Sequence, residues 1–166
     1  MERYVCGDCG HIYYCNPKIV VGSVAVHDGR VLLCRRAIEP RRGFWTLPAG
    51  YLEEHETPEQ GARREAKEEA ECDIVLDALL AVYAIPRISQ VQLMYRARLE
   101  APVFSPGAES LEVKLFAWED IPWTDLAFPS VAGRMSSIGP QRIWRSLRRE
   151  KILLDRRNVH PSTSSG

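Results

Sequence analysis

The stretch Gly50–Cys72, GYLEEHETPEQGARREAKEEAEC, decides how the rest of the chain is read. Thr57, Pro58 and Gln60 mark a helix start: a threonine N-cap, a proline in the first turn, and a glutamine that completes a capping box. In the helix that follows, Glu65, Glu68 and Glu69 fall within an arc of roughly 100° on one face. Like charges one turn apart repel by about a few tenths of a kcal/mol per pair. Folding supplies no reason to gather them. A divalent cation does, because hard Mg²⁺ or Mn²⁺ takes a few carboxylate oxygens and keeps water for its other positions. The alternative is a solvated face interleaved with Arg63, Arg64 and Lys67. Gly61, Ala62, Ala66 and Ala70 give the same helix a small-residue face that can approach a sheet closely.

Outward from this segment, strands are expected on both sides. Lys18–His27 (KIVVGSVAVH) is β-branched, and Asp28-Gly29 predicts a hairpin turn into Arg30–Arg36 (RVLLCRR). Residues 37–43 read as a polar loop, and Phe44–Leu47 as a short extended piece ending at Pro48. Beyond the helix, Ile74–Ile85, Val91–Leu99 and Val113–Trp118 read as strands. A last helix is expected over Gln141–Leu153, with Ile143, Trp144 and Leu147 on its apolar stripe. This order predicts the α/β class, a sheet covered by helices on each side. The domain organisation expected is a cysteine-bearing segment 1–17, one domain over 18–158, and a disordered tail 159–166.

Composition narrows the function. The chain has 166 residues, 45% hydrophobic and 27% charged, with a formal net charge of +0. That balance argues against general electrostatic binding to nucleic acid or membrane. No apolar run approaches the roughly 20 residues of a membrane span, and the first ten residues lack a signal-peptide core, so a cytoplasmic location is expected. The five cysteines form an odd count without a secretory signal, which argues against a disulfide framework. Cys34, in VLLC, reads as a buried thiol. The arginines of the last helix (Arg142, Arg145, Arg148, Arg149) read as a solvated face.

Gly50, Glu56, Arg64, Glu65, Ala66, Glu68 and Glu69 stand at the spacing G-x5-E-x7-R-E-A-x-E-E. This resembles the Nudix box, a loop–helix–loop that binds divalent metal around a pyrophosphate. The resemblance implies a Nudix-type α/β/α sandwich with a mixed sheet. It implies Glu65 and Glu69 as principal metal ligands, Glu68 as a further ligand or water-bridged partner, and the carbonyl of Ala49 as a ligand from the loop. Arg64 resembles the box arginine that positions the glutamates, and joins Glu68 in the expected catalytic set. One departure stands out: Glu71 occupies the place of the family's glycine, which ends the helix in a left-handed conformation. There its charge faces the helix C-terminus, at a cost of roughly 0.3–1 kcal/mol.

NPKIVVG, VLLCRRAIEPRRGFWTLPAGYLE, PGAESLE and LAFPS are similar to a subgroup that includes the plant chloroplast FAD/ADP-ribose pyrophosphatase. The SQPWPFPxS signature of the NADH diphosphatase group is absent. The resemblance implies hydrolysis of ADP-ribose to AMP and ribose 5-phosphate, or of FAD to AMP and FMN, and a homodimer. A catalytic glutamate from a later loop is also implied, with Glu109 the first choice and Glu112 the second. Arg36, Arg41, Arg42 and Trp45 are candidate substrate contacts, since arginine holds phosphate and tryptophan stacks on a base. Arg36, Arg42 and Trp45 are preferred. Cys6-Gly7-Asp8-Cys9 resembles one knuckle of a zinc ribbon. Relatives carry two such pairs ahead of NPK, so closing a Zn²⁺ site here would recruit His11, Cys15 or a second subunit, and a metal-free remnant is the preferred reading. The rival functions are a broader nucleotide pyrophosphohydrolase, a Nudix ligand sensor without turnover, and a zinc-ribbon nucleic-acid module. The intact glutamate set argues against the second, and the missing CxxC and neutral charge against the third.

Overall fold

The β-branched segment 18–27 forms the centre of the sheet in the computed structural model, which describes residues 3–128 and residues 131, 133, 135, 136, 139, 141 and 143. The strands are β1 (Tyr4–Val5), β2 (Ile12–Tyr13), β3 (Lys18–His27), β4 (Arg30–Arg36), β5 (Trp45–Thr46), β6 (Ala49–Tyr51), β7 (Ile74–Ile85), β8 (Gln90–Leu99) and β9 (Ser110–Phe116). One long helix, α1, spans Pro58–Ala70. Asp28 and Gly29, at φ 45° and 74°, make the tight turn between β3 and β4. The main sheet runs β5-β4-β3-β8-β7, with β6 added to β3 and β9 to β4. β3 and β8 are parallel, from Lys18 opposite Gln90 to Val26 opposite Arg98, while the other strand pairs are antiparallel. The expected mixed α/β architecture is therefore present.

Alternation along the strands divides the core into two layers. Ala25, Leu32, Cys34 and Ala97 pack with Ala66 and Ala70 of α1 and with Cys72. These small helix residues let α1 lie close to the sheet, as their spacing predicts. Burial also pushes the Cys34 thiol well above its ordinary range. On the opposite face, Val24, Val26, Leu33, Met94 and Phe116 pack with Val131, Met135 and Ile143. The described positions from 131 to 143 are helical, so helical structure covers both faces. Of the helix expected over Gln141–Leu153, Gln141 and Ile143 are helical; its other residues, including the four arginines, lie outside the described residues.

The bounds of β9 and the existence of β6 differ most from expectation. β9 covers Ser110–Phe116 because Ser110 pairs with Arg36 across a bulge, and Trp118 already enters a 3₁₀ turn, Trp118–Asp120. β6 was not anticipated within the glycine loop. Its three residues are too few to show a period, and it forms only because β3 offers Val20–Gly22 as a partner.

Candidate active site

The helix start is built as its residues require. Thr57 Oγ1 accepts from the Gln60 N–H at 3.2 Å, and Gln60 Oε1 accepts from the Thr57 N–H at 2.7 Å. Just before it, Glu56 Oε1 accepts from the Glu53 N–H at 2.8 Å, turning the chain into α1. Arg64 then gathers the loop and the helix with all five N–H donors a guanidinium possesses. Its Nε and Nη2 hold Glu56 at 3.1 and 2.8 Å, Nη2 also holds the Tyr51 carbonyl at 2.9 Å, and Nη1 holds Glu65 at 2.8 Å and Glu68 at 2.9 Å. A saturated guanidinium has no donor left for substrate. Arg64 is thus placed to position carboxylates, and its hydrogen bonds, with that of the Glu53 N–H, hold Glu56 below the usual carboxylate range.

The three glutamates of the helix face occupy different environments. Glu65 and Glu69 are each only 7% exposed, whereas Glu68 points outward with its side chain 57% exposed. The Glu65 carboxylate lies flat on Gly50, where any Cβ would overlap it. Glycine at 50 therefore makes room for a buried carboxylate. Burial pushes Glu69 from 4.5 up to about 8; the nearby charges of Glu65 and Glu109 add to this, while Arg36 and the Ala49 N–H oppose it. Glu65 is raised for the same first reason, against the pull of Arg64. Glu69 Oε2 is buried without a hydrogen-bond partner. Leaving a charged oxygen so is costly, by about 1–3 kcal/mol or more. Among the described residues no three acidic, His or Cys side chains converge to hold a metal ion, because Glu65 and Glu68 are turned onto Arg64.

The exit from α1 explains how Glu71 replaces a glycine. It takes the left-handed conformation (φ 46°, ψ 29°), its N–H bonds back to Ala66 and Lys67 carbonyls, and its carboxylate accepts the Ser105 hydroxyl. The loop carrying Ser105 then caps the helix: the Ser105 N–H donates to the Ala70 carbonyl at 3.0 Å, and the Gly107 N–H to the Glu69 carbonyl at 3.1 Å. The loop lies so close that a Cβ on Gly107 would overlap the Glu68 carbonyl oxygen. A turn closed by the Ser110 N–H and the Gly107 carbonyl at 3.0 Å holds Glu109 at its tip, and the Ala37 N–H fastens the Glu109 carbonyl at 2.7 Å. Glu109 so reaches the same cleft as Glu65 and Glu69. Glu112 does not: it lies opposite Arg35 in the β4–β9 ladder and pairs with it at 3.7 Å.

That cleft has a volume of about 1070 Å³ and lies over the sheet between Ala49–Tyr51 and the end of β4. Arg36 reaches it, its guanidinium 5.4 Å above the Phe128 ring and its Nε bonded to the Pro40 carbonyl at 2.9 Å. Arg42 and Trp45 are not among its lining residues. Trp45 instead packs edge-on against Phe116 at 4.9 Å and joins the core, and Arg41 lies over Phe44. The expected contacts Arg42 and Trp45 thus stand outside the cleft, Trp45 because β5 pairs with β4 and sets its ring against Phe116. Gln90, Gln92, Lys18 and Tyr51 line the cleft and were missed, because strand residues carry no functional mark until the neighbouring strands are known. Cys6 and Cys9 are exposed thiols in the turn of the small β1–β2 hairpin, where the Cys6 N–H bonds the His11 carbonyl at 2.8 Å.

Comparison with known proteins places this geometry. A model of the NUDIX domain matches residues 16–135. A crystal structure of a NUDIX hydrolase from Nitrosomonas europaea superposes with a TM-score of 0.78 at 46% identity, covering 89% of this chain and 81% of that one. A MutT-like protein of Streptomyces ambofaciens is 36% identical over 102 residues, 61% of this chain and 64% of its own length. An ADP-ribose pyrophosphatase of Methanocaldococcus jannaschii is 27% identical over 113 residues, 66% of this chain and 67% of its own. The chain thus spans about two thirds of these two relatives.

Proposed function

Because the chain belongs to the Nudix family, we propose that it is a metal-dependent pyrophosphohydrolase acting on ADP-ribose first and FAD second. The observation that carries this reading is the buried, unpartnered Oε2 of Glu69 beside Glu65, both facing a cleft of about 1070 Å³. Nudix hydrolases generally use Mg²⁺ or Mn²⁺, and the donor set fits such a cation: hard carboxylate oxygens, one of them lacking any other partner. Glu69 and Glu65 would hold it, with Glu68 and the Ala49 carbonyl completing the protein's share. When bound, the cation supplies charge neutralisation at the diphosphate and a lowered pKa for an attacking water.

The remaining work falls to the chain's own side chains. Arg64 spends every donor on the loop and the carboxylates, so it fixes their spacing. Arg36 brings positive charge to the cleft wall for a phosphate. Glu109, tethered on a turn capping α1, is the candidate base that accepts the water's proton. The M. jannaschii relative's ADP-ribose pyrophosphatase name supports the first substrate, and the segments similar to the FAD/ADP-ribose subgroup support the second. The test is turnover with Mg²⁺ and Mn²⁺ over ADP-ribose, FAD, NADH, diadenosine polyphosphates and nucleoside triphosphates. ADP-ribose should be cleaved to AMP and ribose 5-phosphate. Failure to cleave any pyrophosphate-linked dinucleotide sinks the proposal.

A further inference from the structure

The floor of the cleft carries amides where the sheet register calls for apolar side chains. Gln90, Gln92 and Met94 alternate onto one face of β8, and Met94 belongs to the apolar core. Gln92 is only 7% exposed and lies opposite Val20 in the parallel β3–β8 ladder. An apolar residue at 92 would simply extend the Met94 cluster. A buried primary amide is retained at a cost unless partners replace its water. Those partners form a directed ladder: Gln92 Nε2 donates to Gln90 Oε1 at 3.1 Å, and Gln90 Nε2 donates to Tyr51 Oη at 3.2 Å. Tyr51 Oη thus accepts from the ladder, and its own proton is left to donate elsewhere. Lys18, paired with Gln90, sets its Nζ 5.1 Å from the Tyr51 ring centre.

The opposite wall has another character. β4 and β8 flank β3 on its two sides, so Arg36 at the end of β4 lies across the floor from this ladder; its guanidinium stacks on Phe128, and Ile38 and Pro40 also line the cleft. The apolar side chains of this wall suit a nucleobase, and the Arg36 guanidinium suits the phosphate next to it. Alternating donors and acceptors, with an ammonium beside them, suit adjacent hydroxyls.

We propose that Tyr51, Gln90 and Gln92, with Lys18 beside them, form a subsite that reads the hydroxyls of a sugar on the distal phosphate. The substrate class selected is a nucleoside diphosphate bearing a polyhydroxylated group. This inference rests on the pyrophosphatase reading for the position of the diphosphate between the two walls.

The test compares ADP-ribose with the propyl ester of ADP, which keeps the diphosphate and lacks the sugar. Affinities are measured by calorimetry with Ca²⁺ as cation, and turnover with Mn²⁺, for the wild type, Gln92→Leu and Tyr51→Phe. The wild type should prefer ADP-ribose by about tenfold, the value of one good hydrogen bond. Both variants should shrink that preference to about twofold, with the change in KM and not in kcat. Tyr51 is half-exposed, so its variant carries the test even if Gln92→Leu fails to fold. Equal wild-type affinity for both ligands, or full preference kept in a folded variant, overturns the subsite. Discrimination in binding without cleavage of either ligand leaves the subsite standing and removes the pyrophosphatase reading.

Discussion

Gly107→Ala is the sharpest perturbation of the site, because one methyl group tests how Glu109 is held. Its Cβ would overlap the Glu68 carbonyl oxygen and come 2.8 Å from the carbonyl carbon. Those atoms belong to the last turn of α1, whose small residues are packed on the sheet, so the loop must withdraw instead. Withdrawal breaks the Gly107–Glu69 and Ser105–Ala70 backbone bonds, at 3.1 and 3.0 Å. At roughly 0.5–1.5 kcal/mol each, the loss is about 1–3 kcal/mol. For a chain of this length that lowers Tm by roughly 2–12 °C. A displacement of Glu109 by about 1 Å costs on the order of 10²-fold in turnover. The assay is Mn²⁺-dependent cleavage of ADP-ribose well below Tm, with Tm from circular dichroism. A Tm within 1 °C of wild type and kcat within twofold would refute the claim that this turn positions Glu109.

Other consequences follow from the same geometry. Glu109→Gln should lower kcat by orders of magnitude while Glu112→Gln, on the ladder beside Arg35, stays near wild type; the reverse ranking would reject Glu109 as base. Arg64→Lys keeps the charge and loses the fork on Glu56, so apparent Mn²⁺ affinity, followed by electron paramagnetic resonance titration, should weaken by about 10–100-fold; unchanged affinity would mean that Arg64 does not position the carboxylates. The folded protein holds the Glu69 proton more tightly than the unfolded chain, since its pKa is raised from 4.5 to about 8. Glu69's contribution to metal-free stability should therefore be full below pH 4.5, decline as pH rises to about 8, and be gone above. Melting curves across that range should show a shallower slope for Glu69→Gln; parallel slopes would exclude Glu69 as the source.

Much of the fold was legible because its signals are local. The capping box at Thr57, the β-branched runs of β3 and β7, and the Asp28-Gly29 turn each depend on residues a few positions apart. The helix exit was half legible. A non-glycine at 71 signals strain, but its relief comes from Ser105, which is 34 residues away in sequence. β6 stayed hidden for a related reason: three residues become a strand only when β3 supplies their partners.

The candidate site divides along the same line. The order and spacing of Glu56, Arg64, Glu65, Glu68 and Glu69 were set out by the sequence itself, since a helix converts spacing into a face. Which carboxylate is buried and unpartnered, and which is exposed, required the sheet beneath α1 and Gly50 beside Glu65. That Glu109 reaches the cleft while Glu112 faces Arg35 required the turn that caps α1. Trp45 stands outside the cleft because its partners are Phe116 and Leu126, distant in the chain. Local sequence therefore determined the glutamate-bearing helix and the family to which it belongs. Tertiary structure alone decided burial, which loop glutamate reaches the cleft, and the walls that a substrate would meet, because desolvation and approach depend on segments the chain brings together only on folding.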